Sequence, residues 1–441
     1  MLKADRRRLK AADQREAHLL DLRFIRENAA AVQENCRNRG VEADVGLVVE
    51  LADRRSALIG ELNELRQRQN QMAKSIGRAQ DPEARERLIA ESRTMKDRIP
   101  EREAELAGVE ERLREELLKI PNMTHPDAPI GNDDSENVEI RRWGEIPTFA
   151  FEPRDHVELG ETLGIIDFDA GAKVAASKFY FLRGDAVLLE LGLVRYAIDI
   201  LTQRGYQPTI TPDLARDEML VGTGFIPRGP ETQIYSVEDS DLSLIATAEI
   251  TLAGSLADEI VDDDELPIRL AGLSHCFRTE AGSHGRASRG LYRVHQFTKV
   301  EMFAFTAPNQ SDEMHAEMLG IEERIFQGLG LPYRVVDICT GDLGGAAYRK
   351  FDLEAWMPGR DDYGEVTSTS NTTDYQARRL KIRHRKDGGR PQLLHTLNGT
   401  ALAISRVLIA LLEVYQREDG SVALPEMLVP YVGKEILEPA T

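Results

Sequence analysis

The 441-residue chain lacks the marks of several protein classes. Its three cysteines, Cys36, Cys276 and Cys339, are far apart, odd in number and form no CxxC pair, so neither a disulfide framework nor a Cys-rich zinc site is expected. No run of 18 apolar residues occurs, which excludes a conventional membrane-spanning helix. The first twenty residues, MLKADRRRLKAADQREAHLL, have no apolar stretch of the secretory kind. Residues 1–18 therefore read as a solvated helical extension of unknown role, and a cytoplasmic protein is the expectation. GxxxxGK[ST], a strand-to-helix GxGxxG, HExxH and GxSxG are all missing, so a P-loop, a dinucleotide fold, a zincin and an α/β-hydrolase are not indicated. The formal net charge of −19, taken over the whole chain, argues against a general nucleic-acid binder.

What is present supports a folded protein, with 41% hydrophobic and 30% charged residues. At roughly 150 residues per domain the length suggests two or three domains. Residues 48–119 contain no Phe, Tyr or Trp, and Leu51, Leu58, Leu65 and Met72 recur every seven residues. A turn-forming stretch, Gly77-Arg-Ala-Gln-Asp-Pro82, separates them from a second apolar series, Leu88, Met95, Ile99, Leu106, Leu113 and Ile120. This predicts an antiparallel helical hairpin over about 48–119 with its tip near 77–83. Helices of about 30 residues give an arm of roughly 45 Å. Pro100 is expected to kink or split the second helix. Between 66 and 98 the arm carries nine basic and five acidic residues, which suits a polyanion, although a solvated coiled coil contacting another protein remains open. Arg66, Arg68, Lys74, Arg78 and Arg85 are the candidate contacts.

Residues 121–149, rich in Pro, Asn and Asp, read as a linker. From 150 to 441 helical stretches (185–204, 312–328) and short strands (Gln296–Phe305, Tyr333–Ile338) do not alternate regularly, so an α+β fold with an antiparallel sheet is expected.

Two segments carry chemistry. Cys276-Phe-Arg-Thr-Glu280, a Gly- and Arg-rich loop, and Leu291-Tyr-Arg-Val-His-Gln-Phe-Thr-Lys-Val-Glu-Met-Phe303 read as strand, loop, strand. Period-two geometry would put Arg278 and Glu280 on one strand face, and Arg286 and Arg289 in the loop could meet phosphate. A surface hairpin with ion pairs is the alternative. Near the C-terminus, Leu397-Asn-Gly-Thr400 leads into an apolar helix with Arg406 near its start. A buried Arg needs an anionic partner, either a structural carboxylate or a phosphate.

These two segments resemble the second and third signature motifs of class II aminoacyl-tRNA synthetases, and Gly205-Tyr-Gln-Pro-Thr-Ile-Thr-Pro212 resembles the first. The seryl-tRNA synthetase family in particular is indicated by Leu19-Leu-Asp-Leu-Arg-Phe-Ile-Arg-Glu-Asn28, Met219-Leu-Val-Gly-Thr-Gly224, Thr247-Ala-Glu249, Ser370-Asn-Thr-Thr-Asp-Tyr-Gln-Ala-Arg-Arg379 and Leu394-His-Thr-Leu-Asn-Gly-Thr400, in family order behind a helical arm at 19–120. Thr372 stands where the family often has Cys. The resemblance implies a homodimer built on the first motif, with ATP, Mg²⁺ and L-serine as ligands. It also implies tRNA(Ser) as partner, and tRNA(Sec) where an organism has it. The reaction implied is formation of seryl-adenylate followed by transfer to the tRNA 3′ end.

The resemblance also distributes roles. Arg278 would hold the α-phosphate and Arg406 the γ-phosphate, with Arg278 also at the serine site. Glu365 and Ser368 would bind Mg²⁺ and ATP, and Glu280, Val294 and Phe297 the adenine. Thr247 and Glu249 would take the serine ammonium, Glu301 and Thr400 its hydroxyl. A carrier-protein ligase and an inactive regulatory paralogue are the competing readings. The long arm disfavours the first, and the joint presence of Arg278, Glu280, Glu301, Glu365 and Arg406 disfavours the second.

Overall fold

The computed structural model describes residues 21–225, 233–280 and 289–440. The extension at 1–18 and Arg286 lie outside the described residues. Two units are present, 19–121 and a body from Asn122 onward.

The first unit is dominated by two helices, α1 (Val45–Arg78) and α2 (Pro82–Lys119). Asp44 caps α1 by accepting from the Leu47 amide, and Asp81 caps α2 through the Ala84 amide, with Pro82 at the first helical position. The reversal is confined to residues 79–81. The seam is apolar where the heptads place it: Leu51, Leu58 and Leu62 are buried on one helix, Leu113 and Leu117 on the other. Arg55–Glu110 (3.2 Å) and Arg66–Glu103 (2.7 Å) bridge the helices beside it. Such half-exposed pairs fix register more than they stabilise. Of the two outcomes expected at Pro100, a kink or a split, the split does not occur: α2 runs as one helix through it. Pro100 is solvent-exposed, so water can satisfy the backbone carbonyl that proline leaves without a donor.

The body is built on an eight-stranded sheet. In chain order its strands are β1 (Val138–Trp143), β2 (Gln207–Ile210), β3 (Ile268–Phe277), β4 (Gln296–Thr306), β5 (Tyr333–Asp337), β6 (Arg349–Met357), β7 (Asp362–Thr373) and β8 (His395–Ala403). Their spatial order is β1-β5-β6-β7-β8-β4-β3-β2. All neighbours are antiparallel except β2, which runs parallel to β3. This is the expected α+β class. The segment read as a linker is not wholly irregular: β1 lies within it and forms the sheet edge against β5.

Helices α3 (Asp185–Gln203), α5 (Ser311–Gly328) and α7 (Ile404–Val414) contribute to the main core, with α4 (Glu249–Gly254) and α6 (Tyr375–Leu380) in a smaller apolar cluster. Along α5 the buried positions Met314, Met318, Ile321 and Ile325 follow helical spacing. Among the described residues, no helix is long and apolar enough to cross a membrane.

Candidate active site

Pairing of β3, β4, β8 and β7 decides what faces the cleft. Thr400 on β8 stands opposite Glu301 on β4. Paired residues share a face, so Glu301, Lys299, Asn398 and Thr400 line one side. Glu365 and Ser368 are three apart, and strict alternation would put them on opposite faces. A one-residue shift in the β6–β7 register leaves Val366 without an opposite number, and both Glu365 and Ser368 line the cleft.

All eleven candidates in the body line this one cleft: Thr247, Glu249, Arg278, Glu280, Val294, Phe297, Glu301, Glu365, Ser368, Thr400 and Arg406. One local expectation fails. β3 ends at Phe277, so Arg278 and Glu280 lie beyond it and do not share a strand face. Glu280 has a positive φ of 48°, the conformation of a turn, and its carboxylate is 3.4 Å from Arg293.

One end of the cleft is acidic and small. Glu301 lies 2.5 Å from the Lys299 ammonium and accepts from Thr400 Oγ1 at 3.3 Å. Lys299 also donates to Thr247 Oγ1 at 2.7 Å. Glu249 opens α4 and accepts from Gln376 Nε2 (2.6 Å) and Asn398 Nδ2 (2.9 Å). Burial, reinforced by the nearby Glu301, pushes the Glu249 carboxyl up to about 7. An ammonium entering here would find two carboxyl groups and lower that value.

The other end is cationic and aromatic. The Arg278 guanidinium stands 5.3 Å from the Phe297 ring centre, and that of Arg406 4.9 Å from Tyr292. The anionic partner required for Arg406 is Glu365, at 3.1 Å, with the Glu365 carbonyl also accepting at 3.0 Å. Burial alone would raise the Glu365 carboxyl, but Arg406 and Lys350 outweigh it and hold it below the usual range.

The five arm candidates are all exposed. Arg66, Arg68, Lys74 and Arg78 lie on α1 and Arg85 on α2. Arg66 is engaged by Glu103 across the hairpin, and Arg68 sits 3.9 Å from Glu64.

Lys299, Asn398 and Gln376 were not among the candidates. Lys299 and Asn398 each precede a candidate by two residues on the same strand, so extending the period-two face from Glu301 and Thr400 would have found them. Gln376 has no such signal.

Two family models match the chain: the seryl-tRNA synthetase N-terminal domain over residues 19–124 and the class II tRNA synthetase core domain (G, H, P, S and T) over 234–415. A protein of Rubrobacter xylanophilus named serine–tRNA ligase is 77% identical over 96% of this chain and all of its own length. One of Treponema denticola with the same name is 54% identical over 94% of this chain and 99% of its own. The crystal structure of seryl-tRNA synthetase from Pyrococcus horikoshii, complexed with ATP, superposes with a TM-score of 0.89 at 41% identity, covering 96% of this chain and all of that one.

Proposed function

The chain belongs to the seryl-tRNA synthetase family and is a serine–tRNA ligase, and we propose that its cleft joins L-serine to ATP while its helical arm holds the tRNA. The observation that carries the residue roles is the convergence of eleven dispersed side chains on one cleft with an acidic end and a cationic end.

In the first step a serine carboxylate oxygen attacks the α-phosphorus of ATP, the bond to the β-phosphate bridge breaks, and pyrophosphate leaves. Negative charge builds on the α-phosphate oxygens, and Arg278 is the guanidinium set to meet it. Arg406 takes the γ-phosphate, exchanging part of its pairing with Glu365 for phosphate oxygens. Glu280, Val294 and Phe297 form the adenine end. Glu249 and Thr247 take the serine ammonium, while Glu301 and Thr400 bond the hydroxyl. A buried site built to bond a hydroxyl rejects alanine and glycine, because its own polar groups would stay unpaired. In the second step a terminal ribose hydroxyl of tRNA(Ser) attacks the seryl carbonyl and AMP leaves. Where tRNA(Sec) is present, the same arm would receive it.

The donor set fits Mg²⁺. Glu365 is held ionised beside the hydroxyl of Ser368 on one wall, and hard oxygen donors are what this ion takes. Nucleotide phosphates and water would supply the remaining ligands of the ion. Bound there, the ion would neutralise phosphate charge.

Arg78, Lys74 and Arg85, with Arg66 and Arg68 behind them, form the cationic stretch of the arm that would meet the tRNA backbone. A second copy of the chain is the partner proposed for the apolar residues left exposed around the first motif. These are Ile210 on β2 (83% exposed) and Val187, Leu188 and Leu191 on α3. The protein is proposed to work in the cytoplasm. The carrier-protein and inactive readings are not favoured.

Serine-dependent ATP–pyrophosphate exchange, followed by charging of bulk tRNA, tests the proposal. Exchange that does not depend on serine, or exchange without charging, would remove it.

A further inference from the structure

We propose that Glu322 is a positioning residue of the serine pocket: its carboxyl group, in the acid form, donates to Thr367 and holds the Asn398–Thr400 floor at the height the substrate hydroxyl requires. This rests on the reading of Asn398, Thr400 and Glu301 as the serine end of the cleft.

Glu322 lies on α5, within the stripe of that helix that packs under the sheet. It is fully buried, and neither of its carboxyl oxygens makes a well-formed hydrogen bond among the described residues. Its Oε1 presses on the underside of β8: a Cβ built on Gly399 would stand 3.1 Å from it, with Thr369 Oγ1 and Met302 Cε equally close. Gly399 separates Asn398, which holds Glu249, from Thr400, which bonds Glu301. The carboxyl therefore sits directly beneath the two floor residues.

Hydrogen-bond bookkeeping selects the acid form. The Thr367 hydroxyl adjoins both Glu322, whose carboxylate it would stabilise by donating to it, and the Thr400 carbonyl, and its single proton can serve only one of the two. The neighbouring Thr369 gives its proton to the Asn398 carbonyl at 3.1 Å. With the Thr367 proton on the Thr400 carbonyl, both threonines clip β7 to the floor and turn only lone pairs toward Glu322. A carboxylate would have to take the Thr367 proton from the Thr400 carbonyl, whereas a carboxylic acid can donate to Thr367 Oγ1 and leave that bond in place. Burial pushes the group well above the usual carboxylate range, and the nearby carboxylates Asp352, Glu301 and Glu323 add to it, outweighing the pull of the Thr367 hydroxyl.

A buried, poorly satisfied acid costs stability. Removing it should therefore spare or strengthen the fold while loosening the pocket. Glu322→Gln, a neutral donor of the same shape, is expected to keep the KM for serine, the KM for ATP and kcat of pyrophosphate exchange within about twofold of wild type. Glu322→Leu should raise the serine KM roughly tenfold, the equivalent of one hydrogen bond. Its ATP KM should not change and its Tm should be no lower than wild type. Thr367→Val should reproduce the selective rise, which keeps the proposal testable if the Leu variant does not fold. A wild-type serine KM in Glu322→Leu and Thr367→Val overturns it, and so does a Gln variant as impaired as Leu. Thr400→Val serves as control: an unchanged serine KM there would fell the pocket reading itself, independently of Glu322.

Discussion

The Lys299 ammonium lies 2.5 Å from Glu301 Oε2, both side chains buried and projecting from the same face of β4. Removing one partner of such a pair strands the other charge and costs about 3–5 kcal/mol. Lys299→Met should therefore lower Tm and reduce kcat/KM for serine by at least a hundredfold. The double variant Lys299→Met, Glu301→Gln should recover most of the Tm and none of the exchange activity. Recovery of activity as well would make the pair purely structural.

Glu249 gives the pH dependence a sign. Its carboxyl in the folded protein stands at about 7, above the ordinary 4.5. The stability gained by keeping it protonated is therefore fully present below pH 4.5 and is lost as pH rises through about 7. Only the ionised form attracts the serine ammonium, so the serine KM should rise as pH falls below 7. The Tm increment given by serine should be larger at pH 8 than at pH 6. Glu249→Gln should flatten both dependences, measured by exchange kinetics and thermal melts.

Arg278 and Arg406 should separate by step. Arg278→Ala is expected to abolish adenylate formation, a loss of a hundredfold or more in kcat; a wild-type adenylate burst would remove it from the mechanism. Arg406→Leu should mainly raise the KM for ATP and let the Glu365 carboxyl move up, because its largest cationic neighbour is gone.

The arm should matter only for the second step. Charge reversal at Arg78 and Arg85 is expected to leave pyrophosphate exchange unchanged. It should raise the KM for tRNA roughly tenfold and flatten its salt dependence. Deleting 50–119 should spare adenylation and cripple transfer; full-rate charging would show that the arm is not the holding element.

The helical hairpin was legible because two heptad-spaced apolar series and the turn chemistry of Gly77–Pro82 point to one geometry. The cleft was legible through motif order rather than through strand faces. Arg278 and Glu280 sit past the end of β3, where period two no longer applies. Glu365 and Ser368 share a face only because of an added residue that no local pattern announces. β1 was hidden because its short alternation, Val-Glu-Ile-Arg, lies within a Pro-, Asn- and Asp-rich stretch that reads as a linker, and as an exposed edge strand it buries neither face. Glu322 left a trace: it falls four residues after Met318, in phase with the buried stripe of α5, where a charged residue is out of place by pattern.

The unmatched Val366 on β7 turns spacing into a heritable trait of this enzyme. Substituting that valine by another aliphatic residue changes only how the interior fills. Excising it would rotate everything on one side of the gap by half a pleat, so that either Glu365 or Ser368 turns its back on the nucleotide. Tallies of tolerated variants should accordingly record many replacements at this position and no deletions.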